Sequence, residues 1–329
     1  MRYYCTFFDS GYLAKALALY ESMEKWCEEF RLYALCLDDK AFDVLTERGL
    51  RNLVAVSLKD VVEADAELAK ARSNRSTGEF YFTCSPCFPL YVLKTFPEVD
   101  LLVLIDADTF FFASPETIFE QMRPFSIGLT EHRFSRGLDR YRKYGTFNVG
   151  WIMLRRDEVG IACLEWWRER CLEWCHDRLD GDRFADQKYL EKWPQLFKGV
   201  HIIPDVGLNL GHWNVAQYRL TRRDNKVFVE DKPLIFFHFA NVKEVRPGVF
   251  RCGLWVSGKP LAGVLRQDVF RQYIDSIRSL ALPASSCLKR LRTPEKNHHR
   301  LANIVRSLRK TVLGLLTMDY IFIVNNRVV

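Results

Sequence analysis

Short apolar runs recur along the chain, separated by longer stretches in which apolar residues repeat at helical spacing. Tyr3–Phe8 predicts a first strand and Tyr12–Cys27 an amphipathic helix. Arg31–Leu37 predicts a second strand, Ala41–Gly49 a helix ended by its glycine, and Leu53–Ser57 a third strand. Leu58–Lys70 reads as helix, followed by a polar joint from Arg72 to Gly78. Phe82–Phe96 predicts a helix opening on Ser85-Pro86, where a proline suits the first turn. Strands are expected at Leu101–Ile105, Ser126–Glu131, Thr146–Leu154, Val200–Pro204 and Leu234–Phe239. Gly160–Cys175 predicts a helix carrying Trp166, Trp167 and Trp174, and a basic helical tail follows Pro283. Strands alternating with helices of this length predict an α/β fold whose parallel sheet has helices on both faces. No internal repeat or low-complexity segment interrupts it.

The strand Leu101–Ile105 runs directly into Asp106-Ala107-Asp108. An apolar run of this kind is buried on both faces, and ending it in two carboxylates is costly unless something pairs with them. A divalent cation does so. Oxygen ligands that leave room for phosphate suit Mg²⁺ or Mn²⁺. Ligands bind beyond the carboxyl ends of strands in open α/β sheets, where these two residues fall. The plainer reading is a helix N-cap, but Phe110-Phe111-Phe112 offers no helical face.

Composition narrows the class. At 329 residues, 48% hydrophobic and 27% charged, the chain has ample material for a packed core and is not a disordered one. Ten cysteines in such a length are no disulfide scaffold, and their apolar settings (Cys5, Cys36, Cys163, Cys252) point to reduced thiols in a reducing compartment. The opening residues turn polar too early for a signal peptide, and no apolar run reaches about 18 residues. A cytoplasmic protein is expected. Residues 1–284 balance their charges, so the net +7 belongs to the tail.

Other constellations bear on the Asp-x-Asp. His238 ends the apolar run Pro233–Phe237, where a neutral imidazole would be a third ligand, though a core histidine bonded to backbone fits equally. Asp186-Gln187 is either a helix start or part of a site, and Asn148-Val149-Gly150 interrupts an apolar strand. Asn209, Trp213 and Asn214 flank Gly211, and an aromatic beside amides suits a sugar face and its hydroxyls. Cys84-Ser85-Pro86-Cys87 has no second pair near enough for zinc and reads as structural.

The order Thr6-Phe7-Phe8-Asp9, Asp106-Ala107-Asp108, Phe147-Asn148-Val149-Gly150, Asp186-Gln187, His238 resembles the GT-A glycosyltransferases, family 8 in particular, over about residues 3–245. The resemblance implies a Rossmann-like, mixed but mainly parallel sheet flanked by helices, with the basic helical extension added at the C-terminus. It implies Asp106, Asp108 and His238 as ligands of Mn²⁺ or Mg²⁺, and Asp186 and Gln187 as the catalytic pair beside the donor sugar. Thr6, Phe8, Asp9, Asp106, Ala107, Asp108 and Asn148 become donor-site candidates, with Arg72 and Arg75 as basic residues ahead of the Asp-x-Asp. Family 8 follows its histidine with a glycine and Lys-Pro-Trp. Here Ala240-Asn241-Val242-Lys243-Glu244-Val245 stands instead, leaving Lys243 as the candidate diphosphate grip. Asn209, Trp213 and Asn214 are the acceptor-site candidates.

The expected domains are a catalytic unit over 1–282, split into a nucleotide-binding half (1–112) and an acceptor half (113–282), then a tail over 283–329. The expected activity is transfer of a hexose-type sugar, with retention, from a nucleotide sugar (a UDP-sugar) to a saccharide or glycolipid acceptor in surface glycan assembly of the lipopolysaccharide type. Front-face attack and double displacement through Asp186 or Gln187 both remain open, as does inversion. Competing readings are an inactive sugar- or nucleotide-binding scaffold and a sugar nucleotidyltransferase, although no glycine-rich phosphate loop follows the first strand. In the tail, Leu301, Ile304, Val305, Leu308, Val312 and Leu315 mark one helical face with basic residues off it, which suits an anionic membrane surface on its cytoplasmic side. Nucleic acid is not an expected partner, because the body is neutral and carries no recognition motif.

Overall fold

The computed structural model describes residues 1–280, 319–324 and 327–328. Its centre is a seven-stranded sheet in the order β3-β2-β1-β4-β7-β6-β8. These strands are β1 (Arg2–Phe8), β2 (Phe30–Cys36), β3 (Leu53–Ser57), β4 (Leu101–Ile105), β6 (Ile127–Glu131), β7 (Phe147–Arg155) and β8 (Val200–Ile202). β5 (Thr109–Phe111) leaves this sheet. All pairings are parallel except those of β7, which runs antiparallel to both β4 and β6. The sheet is therefore mixed and mainly parallel. β7 is buried along nearly its whole length, and a strand covered on both faces has the same apolar pattern in either direction.

Helices cover both faces. α1 (Leu13–Trp26), α2 (Asp39–Arg48), α3 (Leu58–Ala64), α4 (Ala66–Ala71), α5 (Thr77–Thr95) and α7 (Glu158–Glu173) follow the expected places with two differences, and the short α6 (Glu116–Gln121) lies where no helix is expected. The expected helix over Leu58–Lys70 is broken at Asp65, which ends α3 and caps α4 by accepting from the Leu68 amide. α5 begins well before Ser85-Pro86. Ser76 and Glu79 form a capping box at its start, and Pro86 and Pro89 lie inside the helix. The buried Phe80, Cys84, Cys87 and Phe88 tie α5 to the core and override the prolines. Cys84 and Cys87 thus belong to packing. All nine cysteines among the described residues are buried and unbonded to one another.

β9 (Leu210–Gly211) and a later strand join β5 in a second sheet, the later strand lying in the middle. Between them in sequence is a small meander of β10 (Leu220–Arg223), β11 (Lys226–Val229) and β12 (Lys232–Pro233). The later strand, β13 (Phe236–His238), pairs antiparallel with β5 and parallel with β9. Its register sets His238 opposite Thr109, and the Phe239 amide donates to the Asp108 carbonyl at 2.7 Å. Two chain segments distant in sequence are in this way locked together at the end of β4.

After β13, β14 (Lys243–Arg246) and β15 (Val249–Arg251) form a hairpin joined by β16 (Tyr320–Val324) and β17 (Arg327–Val328). Asp319 is buried, and its carboxylate accepts from the Gly253 and Leu254 amides. The apolar run Tyr320–Val324 is consequently a paired strand of the body, with Ile321 buried. The amphipathic helix expected over 301–315 lies outside the described residues. Among the described residues, no helix is long and apolar enough to cross a membrane.

Candidate functional site

Asp106, Asp108 and His238 meet at the carboxyl end of β4, where β13 delivers the histidine. One ligand atom from each lies within 4.8 Å of the others. His238 Nε2 is 3.3 Å from an Asp106 oxygen and 3.1 Å from one of Asp108. The Asp108 side chain is 8% exposed and that of Asp106 33%, the latter opening onto the cavity above. Gly150 makes room for the ring: a Cβ there would stand 2.6 Å from both His238 and Asn148 atoms. The Asn148-Val149-Gly150 interruption of β7 therefore has a steric reason.

The electrostatics divide the two carboxylates. Burial pushes Asp106 up to about 6, with the neighbouring Asp108 charge adding and His238 opposing. Burial also works on Asp108, but the Lys15 ammonium and the His238 hydrogen bond outweigh it and hold that carboxyl well below its usual range. Lys15 Nζ sits 3.3 Å from Asp108. His238 would fall on burial alone, and the carboxylates raise it instead. Two carboxylates and an imidazole that converge within 4.8 Å, with Lys15 on only one of them, form a donor set that fits Mn²⁺ or Mg²⁺.

Above the cluster lies a cavity of about 520 Å³. Phe7, Phe8, Asp9, Tyr12 and Leu37 line it from β1 and its neighbours, and Tyr81, Phe82 and Ser85 from α5. Asp106, Ala107, Asp108, Asn148, Val149, Asp186, Gln187, His238 and Ala240 complete the wall. Tyr81 and Ser85 stand one turn apart on α5. The Tyr81 hydroxyl reaches Asp9 at 3.5 Å, and the Ser85 hydroxyl donates to Asp186, so the helix spans the cavity from one end to the other. Burial pushes Asp186 up to about 7, the Ser85 hydrogen bond opposing and Asp106 adding.

Asn148 is held in one orientation. The Thr146 carbonyl can only accept, so His132 Nδ1 carries the proton and Nε2 accepts from the Asn148 amide at 2.9 Å. The Asn148 oxygen takes the Gly150 amide at 2.8 Å and the Asn209 amide at 3.0 Å.

The expected site residues therefore separate. Phe8, Asp9, Asp106, Ala107, Asp108, Asn148, Asp186, Gln187 and His238 share the cavity. Thr6 is buried within β1 and does not line it. Arg75 is spent on the Cys171 and Leu172 carbonyls, and Arg72 is exposed beside the Phe80 ring. Lys243 is exposed at the start of β14 and is not among the lining residues. Asn209 and Asn214 are fully buried; Asn209 holds Thr130 and Asn148, while Asn214 bonds the Gly211 amide and the His132 carbonyl. Trp213 lines a second cavity of about 370 Å³, with Gln187 common to both. The residues that sequence reasoning missed are Lys15, Tyr12, Tyr81, Ser85 and His132. Lys15 left one signal, a lone cation inside the apolar run Leu13–Leu17.

No protein-family model matches the chain. Two proteins of Bacillus subtilis strain 168, both described as uncharacterized, are similar to it. YfnD is 33% identical over 241 residues, spanning 72% of this chain and 77% of YfnD. YfnF is 34% identical over 251 residues, spanning 74% and 82%. Among solved structures, the galactosyltransferase LgtC in complex with donor and acceptor sugar analogues superposes with a TM-score of 0.51 at 16% identity, over 86% of this chain and 98% of that one. An active-site variant of LgtC gives 0.50 at 12% identity over the same shares.

Proposed function

The chain belongs to the family of Bacillus subtilis YfnD and YfnF and has the fold of the GT-A glycosyltransferases; on that premise we propose that it is a metal-dependent glycosyltransferase. It moves a hexose-type sugar from a nucleotide sugar, a UDP-sugar, to a saccharide or lipid-linked saccharide acceptor in surface glycan assembly. The observation that carries this reading is the Asp106, Asp108 and His238 cluster at the floor of a cavity that also holds Asp186 and Gln187.

Charge supports the need for metal. Asp9, Asp106, Asp108 and Asp186 line the cavity, and Lys15 is the cation paired at its floor. A nucleoside diphosphate would meet repulsion there unless a divalent ion intervened. A divalent ion held by Asp106, Asp108 and His238 would supply the positive charge that a departing diphosphate requires. The chain's own residues do the rest. Phe7, Phe8, Leu37 and Tyr81 offer apolar and aromatic surface to a base, while Asn148 is oriented to hydrogen-bond the donor.

Burial raises the Asp186 carboxyl, and the Ser85 hydroxyl donates a hydrogen bond to it. With Ser85 holding one of its oxygens, Asp186 is placed with Gln187 to orient the donor sugar, and the proposed course is retention by front-face attack with a donor phosphate oxygen as base. The basic segment 283–329 is the candidate for peripheral contact with the inner face of a membrane.

The test is thermal stability with Mn²⁺ across nucleotide sugars and nucleoside triphosphates. Stabilisation by one nucleoside diphosphate sugar, lost when metal is chelated, is the expected result. Stabilisation by triphosphates alone would move the chain to nucleotidyl transfer.

A further inference from the structure

Resting on the transferase reading above, we infer that the second cavity takes the neutral terminal pyranose of an acceptor whose adjoining linkage is a phosphate. The cavity meets the donor site at Gln187, so a sugar seated in it lies next to the donor. Phe134, Tyr141, Tyr144 and Trp213 line it, and aromatic faces suit the C–H face of a pyranose. Trp213 is 6% exposed and belongs to the packed wall of the cavity.

The cavity interior is uncharged. Burial holds His132 down to about 4 and His212 down to about 3, so both imidazoles are neutral at pH 7. An ionic group inside would be desolvated without a counter-charge, which selects a neutral sugar there.

The lip is different. Residues 133–143 carry Arg133, Arg136, Arg140, Arg142 and Lys143 against Asp139 alone, within residues 1–284 whose charges balance only when this segment is included. Arg133 is taken up by the Asp205 and Leu208 carbonyls, and Arg142 pairs with Asp139. Arg140, which also donates to the Gly137 carbonyl, and Lys143 lie over the rings of Tyr141 and Tyr144, at 4.9 and 5.0 Å. Both are exposed, so positive charge is stacked on the same rings that line the sugar cavity. A phosphate one bond from the seated sugar would meet these cations, whether it belongs to a lipid carrier or to a phosphodiester polymer.

The test measures binding and needs no turnover. With UDP and Mn²⁺ present to fill the donor cavity, hexopyranosyl 1-phosphates and their methyl glycosides are titrated in pairs by saturation-transfer NMR. The expected result is one phosphate that binds about tenfold tighter than its methyl partner, the scale of two screened charge contacts. That advantage should collapse in Arg140→Ser/Lys143→Ser and at high salt. Tyr141→Ala should weaken both members of the pair. Equal affinity within every pair, or an advantage that survives the double substitution, would overturn the proposal. A polyprenyl-phosphate hexose in phosphatidylcholine vesicles, set against a soluble hexosyl phosphodiester, then identifies the source, and charge-dependent binding of either upholds the inference. Failure of donor turnover would sink the transferase reading and leave this readout intact.

Discussion

Asp108 holds the site together more than Asp106 does, because it alone meets both His238 and Lys15 while its carbonyl receives the Phe239 amide. Asp108→Asn keeps the shape and removes the charge. Its turnover is expected to fall by about 10²-fold or more, with the parent's circular dichroism but a lower melting temperature, because Lys15 loses its buried partner. Asp186 yields a pH prediction of definite sign. Its carboxyl is raised by burial, so between about pH 4 and 7 the folded state binds more protons than the unfolded one, and stability falls as pH rises. Asp186→Asn should therefore raise the melting temperature relative to the parent more at pH 8 than at pH 5. A constant offset would show that Asp186 ionises normally. At this scale the Asp-x-Asp and His238 were legible because a charged end on a buried strand breaks a rule. Lys15 and Ser85 were not, since a helical pattern does not say which face meets a cavity. Asn209 and Asn214 look like sugar contacts in sequence but spend their amides on the wall.

Two strands set the geometry, β7 from one side and β13 from the other. A Cβ on Gly150 would stand 2.6 Å from the His238 ring, which makes the glycine a local requirement. Gly150→Ala should displace the imidazole and weaken Mn²⁺ binding by roughly tenfold or more, as for loss of a supporting contact to a metal ligand, read by calorimetric titration. Unchanged affinity would mean that His238 is no ligand. Asn209 joins Thr130 of β6 to Asn148 of β7 by two buried hydrogen bonds, so Asn209→Ala should cost about 2–3 kcal/mol in denaturant unfolding. The element order could be read from apolar runs and helical spacing. The direction of β7 could not, because burial on both faces erases the signal. Nor could the start of α5, where the Ser76–Glu79 box prevails over two prolines.

Across the whole molecule, donor and second cavities share Gln187, and the C-terminal strand closes a sheet beside them. Removing everything after Pro283 would strip away Asp319 and β16, so that deletion should lower the melting temperature and cannot report on membranes alone. Charge reversal at Arg306, Arg309 and Lys310 is the cleaner probe. It should reduce sedimentation with anionic vesicles while leaving the melting temperature unchanged. Equal sedimentation would take the tail off the membrane. The most direct test of the central claim is release of UDP from UDP-hexoses by the parent protein and by Asp108→Asn, with Mn²⁺ and with chelator. The account predicts release by the parent with Mn²⁺ and release slower by about 10²-fold or more in the other three cases. Release at the parent's rate in Asp108→Asn or in chelator would contradict it.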